Sequence, residues 1–107
     1  MNIFFDQGVP APLRTYMSEY SVDTAFEKGW HQLKNGDLLN HVEQSHYDIF
    51  ITTDQNLKYQ QSLAHRKVSI IVLSTTSWPK IKLETRLIIE AVNRANSNSF
   101  EEIIIGA

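Results

Sequence analysis

Short apolar runs alternate with helix-spaced apolar positions along the whole chain. Ile3-Phe4-Phe5 is a compact run that predicts a first strand. Leu13, Tyr16, Met17 and Tyr20 then recur at i, i+3, i+4 and i+7, which is one face of a helix. Pro12 suits the first turn of that helix, where a backbone N–H has no partner to lose. Val22, Thr24 and Phe26 alternate with Asp23 and Ala25, the pattern of a half-exposed edge strand. Asn35-Gly36-Asp37 opens a helix that carries Leu38, Leu39 and Val42. Ile49-Phe50-Ile51 predicts the next strand, Leu57 to Ala64 a short helix with a weak apolar face, and Val68 to Leu73 a strand apolar on both faces. Ile81, Ile88, Ala91, Val92 and Ala95 define one longer helix, and Phe100 to Ile105 a last strand. Turn residues at Gly8-Val9-Pro10, Lys28-Gly29-Trp30, Asn35-Gly36, Trp78-Pro79 and Asn96 to Ser99 separate these segments.

Strands apolar on both faces, separated by helix-length segments, predict the α/β class: a three-layer α-β-α sandwich around a five-stranded, mainly parallel sheet. In such sheets ligands bind beyond the carboxyl ends of the strands, where the strand order reverses. With the order 2-1-3-4-5, the first and third strands are neighbours at that point. At 107 residues the chain forms one domain, 1–107. Its 42% hydrophobic and 21% charged residues are those of an ordinary soluble globule. The net charge of −2 gives no electrostatic case for nucleic acid, and none against an enzyme that meets it transiently. The absence of cysteine excludes disulfides, thiolate metal sites and a nucleophilic thiol. No apolar run is long enough to span a membrane, and Met-Asn-Ile-Phe-Phe-Asp lacks a signal-peptide layout. A cytoplasmic protein is expected.

The chemistry starts at two strand ends, "IFFDQGVP" and "DIFITTDQN". Asp6 leaves the first strand and Asp54 the third, each followed by glutamine and then a helix-like segment. Each aspartate alone is accounted for as a cap of the helix that follows. Both at one rim of adjacent strands point to a site. Two close carboxylates repel, and one tends to take up a proton; a hard cation such as Mg²⁺ or Mn²⁺ removes that conflict with one or two carboxylates plus waters. Asp37 sits in the first turn of its helix, where the helix dipole alone explains an acid. Asp48 precedes its strand and belongs to the opposite rim, and Glu43 reads as a solvated side chain. Histidines 31, 41, 46 and 65 have no ligand spacing and read as surface residues. Trp30 and Trp78 flank turns and read as packing residues.

"FFDQGVPAPLR", "EKGWHQLKNGDLL" and "YDIFITTDQNLKYQQSL" resemble the short bacterial PIN-like domains of the PIN nuclease superfamily. The likeness runs from the first residues to "VLSTTSWPKI", and the strand-Thr-Thr-Asp-Gln-Asn-Leu element is its most specific part. The resemblance implies a metal-dependent phosphodiester hydrolase that binds Mg²⁺ or Mn²⁺ on a strand-end acidic cluster. RNA is the usual substrate, with DNA as the alternative. It also implies the toxin of a toxin–antitoxin pair, held inactive by a small antitoxin protein. By position Asp6, Asp37 and Asp54 match the family's acids, so the resemblance turns Asp37 from a cap into a catalytic ligand. Arg14, Asn56 and Lys58 closely follow the two acidic turns and are the candidates for contact with a nucleic-acid backbone. Thr53 is the candidate for orienting Asp54. The chain departs from the family in having Gln7-Gly8 where Glu-Asn often follows the first aspartate, and it has no counterpart of a fourth acid.

Two other classes share the scaffold. A receiver-like phospho-acceptor domain would use Asp54 as acceptor and Ser74, Thr75 or Thr76 after the fourth strand. It would also need a second acid beside Asp6 and a lysine after the last strand, which "FEEIIIGA" does not supply. A degenerate PIN-like module would bind a partner without turnover. The triple isoleucine of the last strand needs covering in a soluble protein. Ile103 and Ile105 are expected to pack under the last helix. The remaining edge, or the Trp78 loop, is expected to meet a second copy, as a homodimer, or an inhibitor protein.

Overall fold

Three of the strands are apolar on both sides, and burying them requires a layer on each face. The computed structural model, which describes residues 1–59, 63 and 66–106, has that arrangement. Strands β1 (Asn2–Phe5), β2 (Ser21–Thr24), β3 (Ile49–Thr52), β4 (Ser69–Leu73) and β5 (Phe100–Ile103) form one sheet in the order β2-β1-β3-β4-β5. Every neighbouring pair is parallel. β3 and β4 are buried along their whole length, while the edge strands β2 and β5 are only partly covered. The winding reverses between β1 and β3, so the crevice rule points to their carboxyl ends.

Alternate residues of each strand serve opposite layers. Ile3, Phe5, Ile49, Ile51, Ile71 and Leu73 pack with Leu13, Met17, Ile81, Ile88 and Val92 on one face. Phe4, Phe50, Ile70 and Val72 pack with Leu38, Leu39, Val42 and Leu57 on the other. Among the described residues the helices are α1 (Ala25–Lys28), α2 (Asn35–Gln44), α3 (Trp78–Lys82) and α4 (Thr85–Arg94), with 3-10 turns at Ala11–Tyr16 and Leu57–Tyr59. Among the described residues no helix is long and apolar enough to cross a membrane.

The differences from the sequence reading are local. The helix expected from Leu13 to Tyr20 is the 3-10 turn Ala11–Tyr16, which the chain leaves at Met17 (φ −126°); Leu13 and Met17 still reach the core. The second strand stops at Thr24 rather than running through Phe26. Thr24 and Glu27 form a capping box that starts α1, and Gly29 ends it in the left-handed region (φ 74°). The long helix after Trp78 is broken at Leu83 and Glu84 into α3 and α4. Both pieces present their apolar residues to the same cluster. Of the weak helix expected over 57–64, residues 57–59 are a 3-10 turn. Residues 60–62 and 64, and His65, lie outside the described residues. Glu43 is not simply solvated, since its Oε1 accepts the Lys67 amide at 3.0 Å. Ile103 and Ile105 are both buried against the α4 side, and Ile104 between them is exposed. Trp30 and Trp78 pack against the two core clusters.

Candidate functional site

Register sets the geometry of the carboxyl rim. Phe5 stands opposite Ile51, and the Asp6 amide continues the ladder by donating to the Ile51 carbonyl at 2.9 Å. Thr52, the last residue of β3, is fully buried, so its hydroxyl must find partners within the protein. It donates to Asp6 Oδ2 at 2.8 Å and accepts from the Asp54 amide at 3.1 Å. One hydroxyl thus joins the carboxylate of the first strand end to the backbone of the second aspartate.

The two aspartates are held differently. Asp6 Oδ1 accepts its neighbour's amide, Gln7 N, at 2.8 Å, and the following 3-10 turn takes Pro10 as its N-cap, with no side-chain cap. Capping therefore does not explain Asp6. Asp54 Oδ1 accepts the Asn56 amide at 2.9 Å, the i→i+2 closure of an Asx turn, and its carbonyl accepts from Leu57 N at 3.3 Å. Asp54 does shape the turn after it. Each carboxylate oxygen offers two lone pairs, so the bond from Gln7 and the bond from Thr52 use one on each oxygen of Asp6.

Neighbouring turns lock around this pair. Gln55 Nε2 donates to the Leu73 carbonyl at the end of β4 and to the Thr53 carbonyl, so the third-strand turn is tied to the fourth strand. A Cβ on Gly8 would lie 2.1 Å from Thr53 Oγ1, a separation that real contacts do not reach. Glycine at this position lets the first-strand turn press against the third-strand turn. Thr52, Gln55 and Gly8 were not singled out for these roles in the sequence. The threonine that supports Asp54 is Thr52, not Thr53. A threonine at a strand end reads first as β-propensity, and only the buried hydroxyl reveals the joint.

The other sequence candidates fall elsewhere or do other work. Asp37 is exposed in the first turn of α2, whose start faces the same rim because the helix runs back to begin β3. Arg14 donates to Glu27 at 2.7 Å and to the Val22 carbonyl, which ties the first 3-10 turn to the edge strand and α1. Lys58 pairs with Glu102 at 3.4 Å. Asn56 contributes its amide to the Asp54 turn and is exposed. Ser74 accepts from Ile105 N at 2.7 Å and closes the end of β5.

Hard carboxylate oxygens at the rim suit a magnesium-type ion, and two are enough when water completes the shell. Among the described residues no three His, Cys, Asp or Glu side chains make a group that could hold an ion. The strand-end acids Asp6 and Asp54, whose turns share the Thr52 hydroxyl, are the donors that would suit it. A cleft of about 780 Å³ opens at the opposite rim and is lined by Glu43, Tyr47, Asp48, Lys67 and Ser69 among others. The chain matches no protein-family model, no curated protein and no solved structure.

Proposed function

We propose that the chain is a metal-dependent phosphodiesterase acting on nucleic acid, with RNA as the substrate class, and that Asp6 and Asp54 are its ligand pair. The observation that carries this reading is the Thr52 hydroxyl, which holds the turns of two strand-end aspartates together at the switch point of a parallel sheet. A bound Mg²⁺ or Mn²⁺ would supply Lewis acidity toward a phosphate and make water nucleophilic near neutral pH. Thr52 fixes the rotamer of Asp6 by donating to Oδ2, and Gln7 N fixes the other oxygen. The Asx turn sets the direction of Asp54. Gln55 and Gly8 keep the three strand ends in register, so the carboxylates are positioned before substrate arrives.

On this reading Asp37, exposed in the first turn of α2, acts as an outer acid. The resemblance to PIN-like domains adds a cytoplasmic toxin whose partner is a small antitoxin protein, and self-association remains part of that reading. The experiment is metal-dependent cleavage of single-stranded RNA and DNA by the parent, Asp6→Asn and Asp54→Asn. The reading expects cleavage by the parent with Mn²⁺ or Mg²⁺, none with chelator, and a loss of at least a hundredfold in each variant, about 2.7 kcal/mol of transition-state stabilisation. Equal cleavage by parent and variants would overturn it. Labelling of the parent by a small phosphodonor, lost in Asp54→Asn, would replace it with the phospho-acceptor reading.

A further inference from the structure

The hydroxyls at the carboxyl rim divide by whether the fold uses them. Thr52 donates to Asp6 and accepts from the Asp54 amide. Thr75 accepts the Ser77 amide at 3.1 Å, and Ser74 accepts the Ile105 amide at 2.7 Å. Thr53 is different. Its carbonyl accepts from Gln55, but its side-chain hydroxyl has no hydrogen-bond partner among the described residues. The residue is half-buried, and it lies so close to Gly8 that a Cβ there would stand 2.1 Å from Oγ1. Thr76 Cγ2, from the segment after β4, lies 3.7 Å from the same point. Thr53 thus belongs to the Asp54 turn and touches the Asp6 turn, which puts its hydroxyl where the two acidic turns meet.

A phosphodiester at this rim brings non-bridging oxygens that only accept hydrogen bonds. The cations that follow the two acidic turns are engaged elsewhere, Arg14 with Glu27 and Lys58 with Glu102. A neutral donor has a further advantage beside two carboxylates, because a lysine or arginine there would pair with the acids instead of the phosphate. Thr53 supplies a neutral donor whose side chain is restrained by its β-branch and by its contact with Gly8. We infer that the Thr53 hydroxyl is the donor that takes a non-bridging oxygen of the scissile phosphate at the Asp6–Asp54 site. This inference rests on the phosphodiesterase reading and adds to it a residue in contact with substrate. Thr53 fixes the orientation of the phosphate against the acids, while Thr52 fixes the acids themselves.

The test compares the parent, Thr53→Ala and Thr53→Ser in Mn²⁺, cleaving a single-stranded octamer of RNA, or of DNA where the parent cuts only DNA. Mn²⁺ affinity is measured separately by calorimetry. The bonds that hold Asp6 and Asp54 run through Thr52, so both variants should fold and bind Mn²⁺ as the parent does. Thr53→Ala should lower kcat/KM about tenfold, and Thr53→Ser should restore it. An octamer with sulfur in one non-bridging position of the scissile phosphate gives a readout that a structural role would not move. Sulfur accepts hydrogen bonds weakly, so one stereoisomer should slow the parent by a factor that Thr53→Ala no longer shows. Cleavage by Thr53→Ala equal to the parent's, or a sulfur effect that persists in it, would overturn the assignment and leave the phosphodiesterase reading standing. Loss of Mn²⁺ binding in Thr53→Ala would also overturn it, by making Thr53 a support of the acids. A parent that cleaves neither RNA nor DNA would remove the phosphodiesterase reading and the assignment with it.

Discussion

A cleft of about 780 Å³ opens at the amino rim of the sheet, and the carboxyl rim holds the two strand-end aspartates. At the amino rim the polar side chains close the chain. Asp48 accepts the Asn2 amide at 2.8 Å, Glu43 accepts the Lys67 amide at 3.0 Å, and Ser69 and Ser99 share a bond of 2.6 Å. Tyr47 donates to Asp23 at 2.6 Å, and burial, with that carboxylate, holds its proton far above the ordinary tyrosine range. Each acid there binds a donor that the fold needs bound. At the carboxyl rim the acids accept backbone amides as well, and in addition one buried hydroxyl joins the Asp6 carboxylate to the Asp54 turn. The proposed site lies away from that cleft, at the rim where the shared hydroxyl stands.

The sharpest way to break this contrast is Thr52→Val, which keeps shape and removes the hydroxyl. It leaves Asp6 Oδ2 and the Asp54 amide without their shared partner and should cost about 2–3 kcal/mol, measured by urea unfolding. It should also weaken Mn²⁺ binding, because the carboxylate of Asp6 loses its orienting donor. The matching change at the amino rim, Ser69→Ala, should cost about 1 kcal/mol and leave Mn²⁺ binding unchanged. If both variants change metal binding alike, the two rims do not differ as described.

Next in size is Gly8→Ala. The new Cβ would meet Thr53 Oγ1 at 2.1 Å, so the first-strand turn must move. A loss of about 1–2 kcal/mol is expected, with most of it recovered in the double variant with Thr53→Ala, where the clashing oxygen is gone. Failure of the second change to rescue the first would show that the two turns do not press on each other.

The smallest effect concerns acid pH. Glu27 is held below the usual carboxylate range first by its hydrogen bond from Arg14, then by the backbone of Thr24. A lowered folded-state value means that its contribution is present above the ordinary glutamate pKa and is lost as pH falls through the depressed one. The pair is half-exposed, with side chains 39% and 48% accessible, so after solvent screening the contribution is at most about 0.5 kcal/mol. Glu27→Gln should flatten the stability profile only in that acid window, read by thermal unfolding across pH. A change confined to neutral pH would contradict the assigned cause.

The layers of the fold were legible because burial leaves strong periodic marks at Ile49 to Ile51 and Val68 to Leu73. The 2-1-3-4-5 order, taken only as a condition in the sequence, is the one the sheet has. What stayed hidden depended on single polar contacts. The Thr24-x-x-Glu27 capping box was written in the sequence but lay inside an alternating pattern that read as strand. The break at Leu83 and Glu84 was masked because both helices bury residues on one side. Arg14 and Lys58 looked available for phosphate, but each has an acidic partner distant in sequence, Glu27 and Glu102. That Asp6 and Asp54 both end strands was legible, whereas the role of Thr52 was not, since it depends on which strand lies beside it.

The central claim is that Asp6 and Asp54 form one cation site, and titration of Mn²⁺ into the metal-free protein, followed by calorimetry and thermal unfolding, tests it most directly. The parent should bind and gain stability, by about 2.7 kcal/mol at a hundredfold excess over the dissociation constant. Asp54→Asn should lose most of that gain while staying as stable as the parent, or more so, without metal. Asp6→Asn should lose it too and also cost stability, since its NH2 would face the Gln7 or the Thr52 donor. A parent that takes up no Mn²⁺, or variants that bind it as well as the parent does, would contradict the account.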